Sequence, residues 1–251
     1  MDRGKVFLVG AGPGDQKLLT IKAFELLKEA DVVVYDRLVS ESILKLVPKN
    51  AEKIYVGKSS KKHELTQDKI TELLIAKAFE GKTIVRLKGG DPFLFGRGGE
   101  ELEALREHGI PVELVPGVTS AIAVPGCAGI PVTHRGYASQ VTFVTGHEDP
   151  AKESSAMDWK QLAASPGTLV ILMGVRQLPS IAAQLQAHGM APSVPVAVIE
   201  QGLQPDQRVT TGTLGDIADL ARARGVRPPA VIVIGDVVKL WREENLCGAK
   251  K

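Results

Sequence analysis

Val6-Phe7-Leu8-Val9-Gly10-Ala11-Gly12-Pro13-Gly14-Asp15 runs from an apolar stretch straight into a glycine-rich turn, and residues 18–29 beyond it carry apolar side chains at helical spacing. Strand, tight turn and helix in that order open a βαβ unit. The same alternation continues outward, with strands predicted at residues 5–10, 32–36, 53–57, 83–88 and 112–115 and helices over 18–29, 66–80 and 98–108. Thr66-Gln67-Asp68 reads as a helix start, with an acid near the positive end of the helix. Short apolar runs fed by longer amphipathic ones predict an α/β protein with a largely parallel sheet.

Pro116-Gly117, Pro125-Gly126, Gly129 and Pro131 then interrupt the pattern, in a stretch where an uninterrupted long helix is not expected. This is read as a domain junction, giving two α/β domains over residues 1–116 and 117–251. Strands are predicted in the second at residues 140–145, 168–173, 194–200, 208–211 and 230–234. The threonine-rich stretch at 209–213 suggests an antiparallel hairpin. The run at 230–234 lacks polar alternation, as a strand covered on both faces would.

The turn at residues 10–15 invites comparison with a dinucleotide-binding loop, and Asp36 at the end of the second strand stands where a ribose-binding acid would. The fit is poor. The third glycine of G-x-G-x-x-G would fall at Asp15, and Pro13 lacks the N–H that a pyrophosphate needs. A second glycine-rich turn, Lys88-Gly89-Gly90-Asp91-Pro92-Phe93-Leu94-Phe95-Gly96-Arg97-Gly98-Gly99-Glu100, also carries acid where a phosphate loop carries Lys or Ser. The pair suits a cationic ligand with a ribose, such as S-adenosylmethionine. One of Phe93 and Phe95 is expected in the core.

Bulk properties leave room for this. A net charge of +2, from 31 basic and 29 acidic residues, demands neither nucleic acid nor a membrane as partner. The first apolar run is too short for a signal peptide or a membrane span, so a cytoplasmic location is expected. Cys127 and Cys247 belong to no ligand pattern and are read as buried or idle thiols. The five histidines are scattered, so no metal is expected.

Together with both turns, Val34-Tyr35-Asp36-Arg37-Leu38-Val39-Ser40, Val56-Gly57-Lys58, Pro116-Gly117-Val118-Thr119-Ser120-Ala121, Gly129-Ile130-Pro131-Val132-Thr133-His134-Arg135-Gly136, Thr145-Gly146-His147 and Leu172-Met173-Gly174 resemble the uroporphyrinogen III C-methyltransferases, a branch of the tetrapyrrole methyltransferases. The likeness runs from about residue 4 to residue 240. It implies two α/β domains with S-adenosylmethionine held in the cleft between them, a homodimer, a tetrapyrrole substrate, and two C-methylations, at C2 and C7, giving precorrin-2 and S-adenosylhomocysteine. By the same resemblance Pro13, Gly89, Gly90, Asp91, Leu94, Thr119, Ser120, Met173, Gly202 and Ala230 would bind the cofactor. Asp36 and Lys58 stand at the positions of proton acceptor and donor, and Arg97, Glu100 and Arg135 at positions tied to substrate binding or proton removal. Plainer readings exist: Asp36 as a turn cap, Lys58 as a solvated lysine, Glu100 as an acid favoured by a helix start, Arg135 as half of a surface ion pair, Met173 as a core filler. A methyltransferase of later corrin precursors and a dinucleotide-binding reductase or sensor are the competing functions.

Overall fold

The computed structural model describes residues 3–57, 66–147 and 157–243. The chain divides into two compact units, Met1–Thr119 and Ser120–Lys251.

In the first unit the elements follow as β1 (Lys5–Gly10), α1 (Ile21–Glu29), β2 (Val32–Tyr35), α2 (Glu41–Leu44), β3 (Glu52–Tyr55), α3 (Gln67–Phe79), β4 (Thr83–Lys88), α4 (Gly98–Glu107) and β5 (Val112–Val115). The strands form one all-parallel sheet in the order β3-β2-β4-β1-β5. Period-2 alternation sends Val9, Val33, Val85 and Leu87 to one face, against Ala23 and Leu27 of α1. Val6, Leu8, Val34 and Ile84 go to the other, against Ile70 and Leu74 of α3 and Leu105 of α4. Thr66 caps α3 by accepting from the Lys69 N–H, and Thr20 caps α1 in the same way from Ala23.

The topology fixes where a ligand can bind. From β1 the chain leaves over one face, through α1, toward β2; from adjacent β4 it leaves over the other face, through α4, toward β5. The carboxyl ends of β1 and β4 therefore lie at a switch point, and both glycine turns begin there.

The second unit continues with α5 (Ser120–Cys127), β6 (Val141–Thr145), α6 (Trp159–Ala164), β7 (Thr168–Leu172), α7 (Leu178–Ala187), β8 (Pro195–Glu200), β9 (Arg208–Thr213), α8 (Ile217–Ala223) and β10 (Ala230–Ile234). The Pro/Gly stretch holds one eight-residue helix, α5, with Pro125 inside it. The sheet order is β6-β7-β10-β8-β9. Here the expectation of a largely parallel sheet is corrected: only β6 and β7 run parallel, while β10 is antiparallel to both β7 and β8, and β8 to β9. The last strand enters between two earlier ones from the opposite direction. Val231–Ile234 is accordingly buried throughout, and the hairpin expected around 209–213 is the β8–β9 pair. Cys127 is buried as expected, but it is disulfide-bonded rather than a thiol. Cys247 lies outside the described residues.

Candidate functional site

At the switch point the two glycine turns bond to each other. The Gly90 N–H donates to the Gly12 carbonyl at 2.8 Å, Gly12 returns a bond to Gly90 at 3.1 Å, and the Ala11 N–H reaches the Lys88 carbonyl at 2.7 Å. Gly12 and Gly90 have φ of +70° and +67°, where a side chain is strained. Asp91 joins a third segment: its Oδ1 accepts from the Phe93 N–H at 2.8 Å and its Oδ2 from the Gly117 N–H at 3.0 Å. Gly89, Gly90, Asp91 and the loop running through Gly117 to Thr119 are thus one constellation, with Pro13 in the facing turn. It is built of glycine backbone and one carboxylate, with acid where a phosphate loop carries Lys or Ser, a lining that suits a cation better than a polyphosphate. Leu94 lies half-buried between Phe93 and Phe95. Both aromatics are well exposed, at 48% and 39%, so the expectation of one in the core is corrected. They stand on a loop beyond the sheet, closed by the Gly98 N–H on the Pro92 carbonyl, with Phe95 at φ +54°.

Arg97 and Glu100 meet on the surface. Arg97 occupies the left-handed N-cap of α4 at φ +58°, and its Nε and Nη2 donate to the two Glu100 oxygens at 2.9 and 2.6 Å. This hydrogen-bonded pairing holds the Glu100 carboxyl below its usual range and raises the Arg97 guanidinium.

One residue further along α4 the environment inverts. Glu101 is fully buried, and its Oε1 accepts from Gln67 Nε2 at 2.9 Å, Lys88 Nζ at 3.0 Å and Arg86 Nε at 3.2 Å. Arg86 Nη2 lies 3.6 Å from Asp36 Oδ2, and the Leu38 N–H donates to Asp36 Oδ1 at 3.0 Å. Asp36 is therefore both a turn cap and the partner of a buried arginine. Burial, with Arg86 alongside, depresses the Lys88 ammonium below its ordinary range despite Glu101. Sequence reasoning assigned no role to Arg86, Lys88 or Glu101. A signal was present: two cations alternate with Val85 and Leu87 in a strand that proves central to the sheet, where both faces are covered. Lys58 lies outside the described residues.

In the second unit the antiparallel β10 brings its amino end to the carboxyl ends of β7 and β8. Ala230 pairs with Glu200 and Val231 with Leu172, so Met173, Gly202 and Ala230 gather at one edge of the sheet. Met173 is half exposed at φ +58°, which is not how a core filler is held. Gln201 and Leu203 also have positive φ, and the Gln201 N–H donates to the Pro229 carbonyl at 3.0 Å. Gly202 has no room for a side chain, since a Cβ there would lie 2.4 Å from the Val124 methyls of α5. Ser120, four residues before Val124, opens that helix on the same face. Arg135 is exposed at the tip of a loop closed by reciprocal bonds between His134 and Ala138, and with Tyr137 and Gln140 it lines a surface hollow. Unlike Arg97 and Glu100, it belongs to the second unit.

Residues 5–218, which include both glycine turns and the edge formed by Met173 and Gly202, match the model of the Tetrapyrrole (Corrin/Porphyrin) Methylases. The chain belongs to that family. A dinucleotide-binding reductase or sensor is thereby set aside. This methylase is 60% identical over 237 residues to an S-adenosyl-L-methionine-dependent uroporphyrinogen III methyltransferase of Methanosarcina barkeri, spanning 94% of this chain and 93% of that one. It is 53% identical over 238 residues to a uroporphyrinogen-III C-methyltransferase of Methanocaldococcus jannaschii, spanning 94% and 98%. Among solved structures, the uroporphyrin-III C-methyl transferase of Thermus thermophilus complexed with S-adenyl homocysteine superposes with a TM-score of 0.81 at 45% identity, over 95% of this chain and all of that one. No group of three or more metal-ligating side chains occurs among the described residues, and no described helix is long and apolar enough to cross a membrane.

Proposed function

We propose that this methylase transfers the methyl group of S-adenosylmethionine to carbon atoms of uroporphyrinogen III, at C2 and then C7, giving precorrin-2, and that it acts as a cytoplasmic homodimer. The observation that carries the reading is the pair of glycine turns bonded through Gly12 and Gly90, an acid-bearing cradle at the switch point of the first sheet. The identity to uroporphyrinogen III methyltransferases supports the choice of substrate.

Bound S-adenosylmethionine supplies an electrophilic methyl on a sulfonium. An electron-rich pyrrole carbon attacks it, a C–C bond forms, the C–S bond breaks, and its electron pair stays on sulfur. The protein's task is placement: holding both reactants in line contributes about 7–11 kcal/mol toward the barrier. Pro13, Gly89, Gly90, Asp91, Leu94 and Thr119 in the first unit, and Ser120, Met173, Gly202 and Ala230 in the second, are the proposed cofactor contacts. Arg97 and Arg135 grip substrate carboxylates by paired N–H bonds, with Glu100 orienting Arg97. The methylated macrocycle is cationic and must release a proton; Asp36 accepts it, and Lys58 is the proposed donor.

The test is anaerobic incubation of the purified protein with uroporphyrinogen III and excess S-adenosylmethionine, followed by mass spectrometry. A transient gain of one methyl group and then accumulation at two is expected. A reaction that stops at one methyl, or that leaves this substrate untouched, refutes the proposal.

A further inference from the structure

The buried cluster of Arg86, Lys88 and Glu101 has no part in the chemistry described above. It closes the core layer between the first sheet and helices α3 and α4 at the sheet's carboxyl edge, the edge that carries the ligand turns. Apolar residues would close that layer at less cost, because stripping water from each ion costs several kcal/mol and such networks are weak sources of stability. What a charge network provides here is direction.

The guanidinium of Arg86 is rigid and planar, so fixing two of its nitrogens fixes the third. Glu101 Oε1 accepts from Nε, and Nη1 donates to the Leu87 carbonyl at 3.2 Å and reaches the Val34 carbonyl at 3.5 Å. Nη2 is left pointing at Asp36 Oδ2, 3.6 Å away. The other oxygen of Asp36 is held by the Leu38 N–H. One oxygen of this carboxylate is thus held by a backbone N–H and the other faces the Arg86 guanidinium at ion-pair distance, while its side chain stays 26% exposed at the ligand edge. Arg86 and Glu101 are almost wholly enclosed, so neither can meet substrate itself.

We infer that Glu101 is a positioning residue for methyl transfer, acting through the Arg86 guanidinium to fix the direction of the Asp36 carboxylate. The inference rests on Asp36 as the proton acceptor. It goes beyond that assignment by naming the buried pair that aims it. A misdirected carboxylate slows proton removal and leaves the glycine turns intact, so the loss falls on kcat and spares cofactor affinity.

The experiment is a double-mutant cycle. Glu101→Gln keeps the side-chain volume and one acceptor oxygen but removes the charge that holds Arg86. Arg86→Lys keeps a buried cation opposite Glu101 but is too short to serve Asp36 as well. Each is combined with Asp36→Asn, and kcat, KM, S-adenosylhomocysteine affinity by calorimetry and thermal unfolding are recorded. Either single variant should lower kcat about ten- to a hundredfold, the scale of a small misplacement of a reacting group. Affinity for S-adenosylhomocysteine should stay within a few-fold, and adding either change to Asp36→Asn should cause no further loss. Multiplicative losses, full turnover in a folded Glu101→Gln or Arg86→Lys protein, or full turnover in Asp36→Asn overturn the inference. If Glu101→Gln does not fold, Arg86→Lys decides. The substrate assignment fails separately, on the wild-type protein alone; the cycle is then run on whichever tetrapyrrole that protein methylates, with the same outcomes decisive.

Discussion

Gly117→Ala is expected to damage the protein far more than the addition of one methyl group suggests. Built onto the backbone, that methyl lies 2.3 Å from the Gly90 carbonyl oxygen, 2.7 Å from Gly10 Cα and 2.9 Å from Gly10 C. Carbon atoms in favourable contact stand about 3.5–4.0 Å apart, so the segments must separate by roughly an ångström. All three obstacles are main-chain atoms, and no side chain can rotate away. Separation pulls on the Gly117–Asp91 bond of 3.0 Å and on the Gly12–Gly90 pair at 2.8 and 3.1 Å. Overpacking of a tight site costs about 1–3 kcal/mol, and each hydrogen bond lost adds about 1 kcal/mol. A destabilisation of about 2–4 kcal/mol follows, which lowers the folding equilibrium roughly 30- to 700-fold. Urea unfolding measures the first effect, and calorimetry with S-adenosylhomocysteine measures the accompanying loss of affinity. Gly99→Ala is the control: nothing lies within 4 Å of its Cβ, and Gly99 is inside α4, so stability should hold or rise by up to about 1 kcal/mol. A Gly117→Ala protein that unfolds within about 0.5 kcal/mol of wild type and binds the ligand normally would falsify the account of this junction.

Glu113 is held down to about 2 by hydrogen bonds from Lys22 and Lys5, so its contribution to stability is complete above the ordinary carboxylate pKa and is lost as pH falls from there toward about 2. The difference in urea midpoint between wild type and Glu113→Gln should therefore shrink steadily on acidification from pH 5, be small throughout for so exposed a group, and diminish with added salt; a difference independent of pH would dismiss the ion-pair explanation. Arg97→Ala and Arg135→Ala should each lower turnover of uroporphyrinogen III while leaving S-adenosylhomocysteine affinity within a few-fold, as calorimetry beside a steady-state assay would record. Collapse of ligand affinity with substrate handling intact would reverse the two roles.

Local spacing was enough to place most of the strands, because a run such as Val6–Val9 or Ile232–Ile234 has few ways to hide its side chains other than in a sheet. The two glycine turns were legible for a related reason: glycine beside proline and acid restricts the backbone within a few residues, and Asp15 and Pro13 by themselves disqualify the phosphate-binding alternative. What adjacent residues do to one another is written in their order. The second sheet was misjudged because pairing partners there are set by packing summed over the whole unit. Nothing in Ala230–Ile234 states that it enters antiparallel between β7 and β8, yet that insertion is what draws Ala230 to Met173 and Gly202.

Tertiary structure alone separated Glu100 from Glu101. Two glutamates side by side in a motif look alike, but successive residues of a helix point about 100° apart. One faces water and holds Arg97, while the other is sealed against Arg86 and Lys88. Phe93, Phe95 and Met173 make the same point in reverse, apolar by composition yet left exposed on loops, two of the three at positive φ. The sequence by itself determined the elements, the turns and the chemical character of the ligand they suit, since each of these is decided by neighbours within a few residues. The fold decided which acid is buried, which glycines meet and which carboxylate an arginine aims, because those depend on distances between segments that only packing brings together.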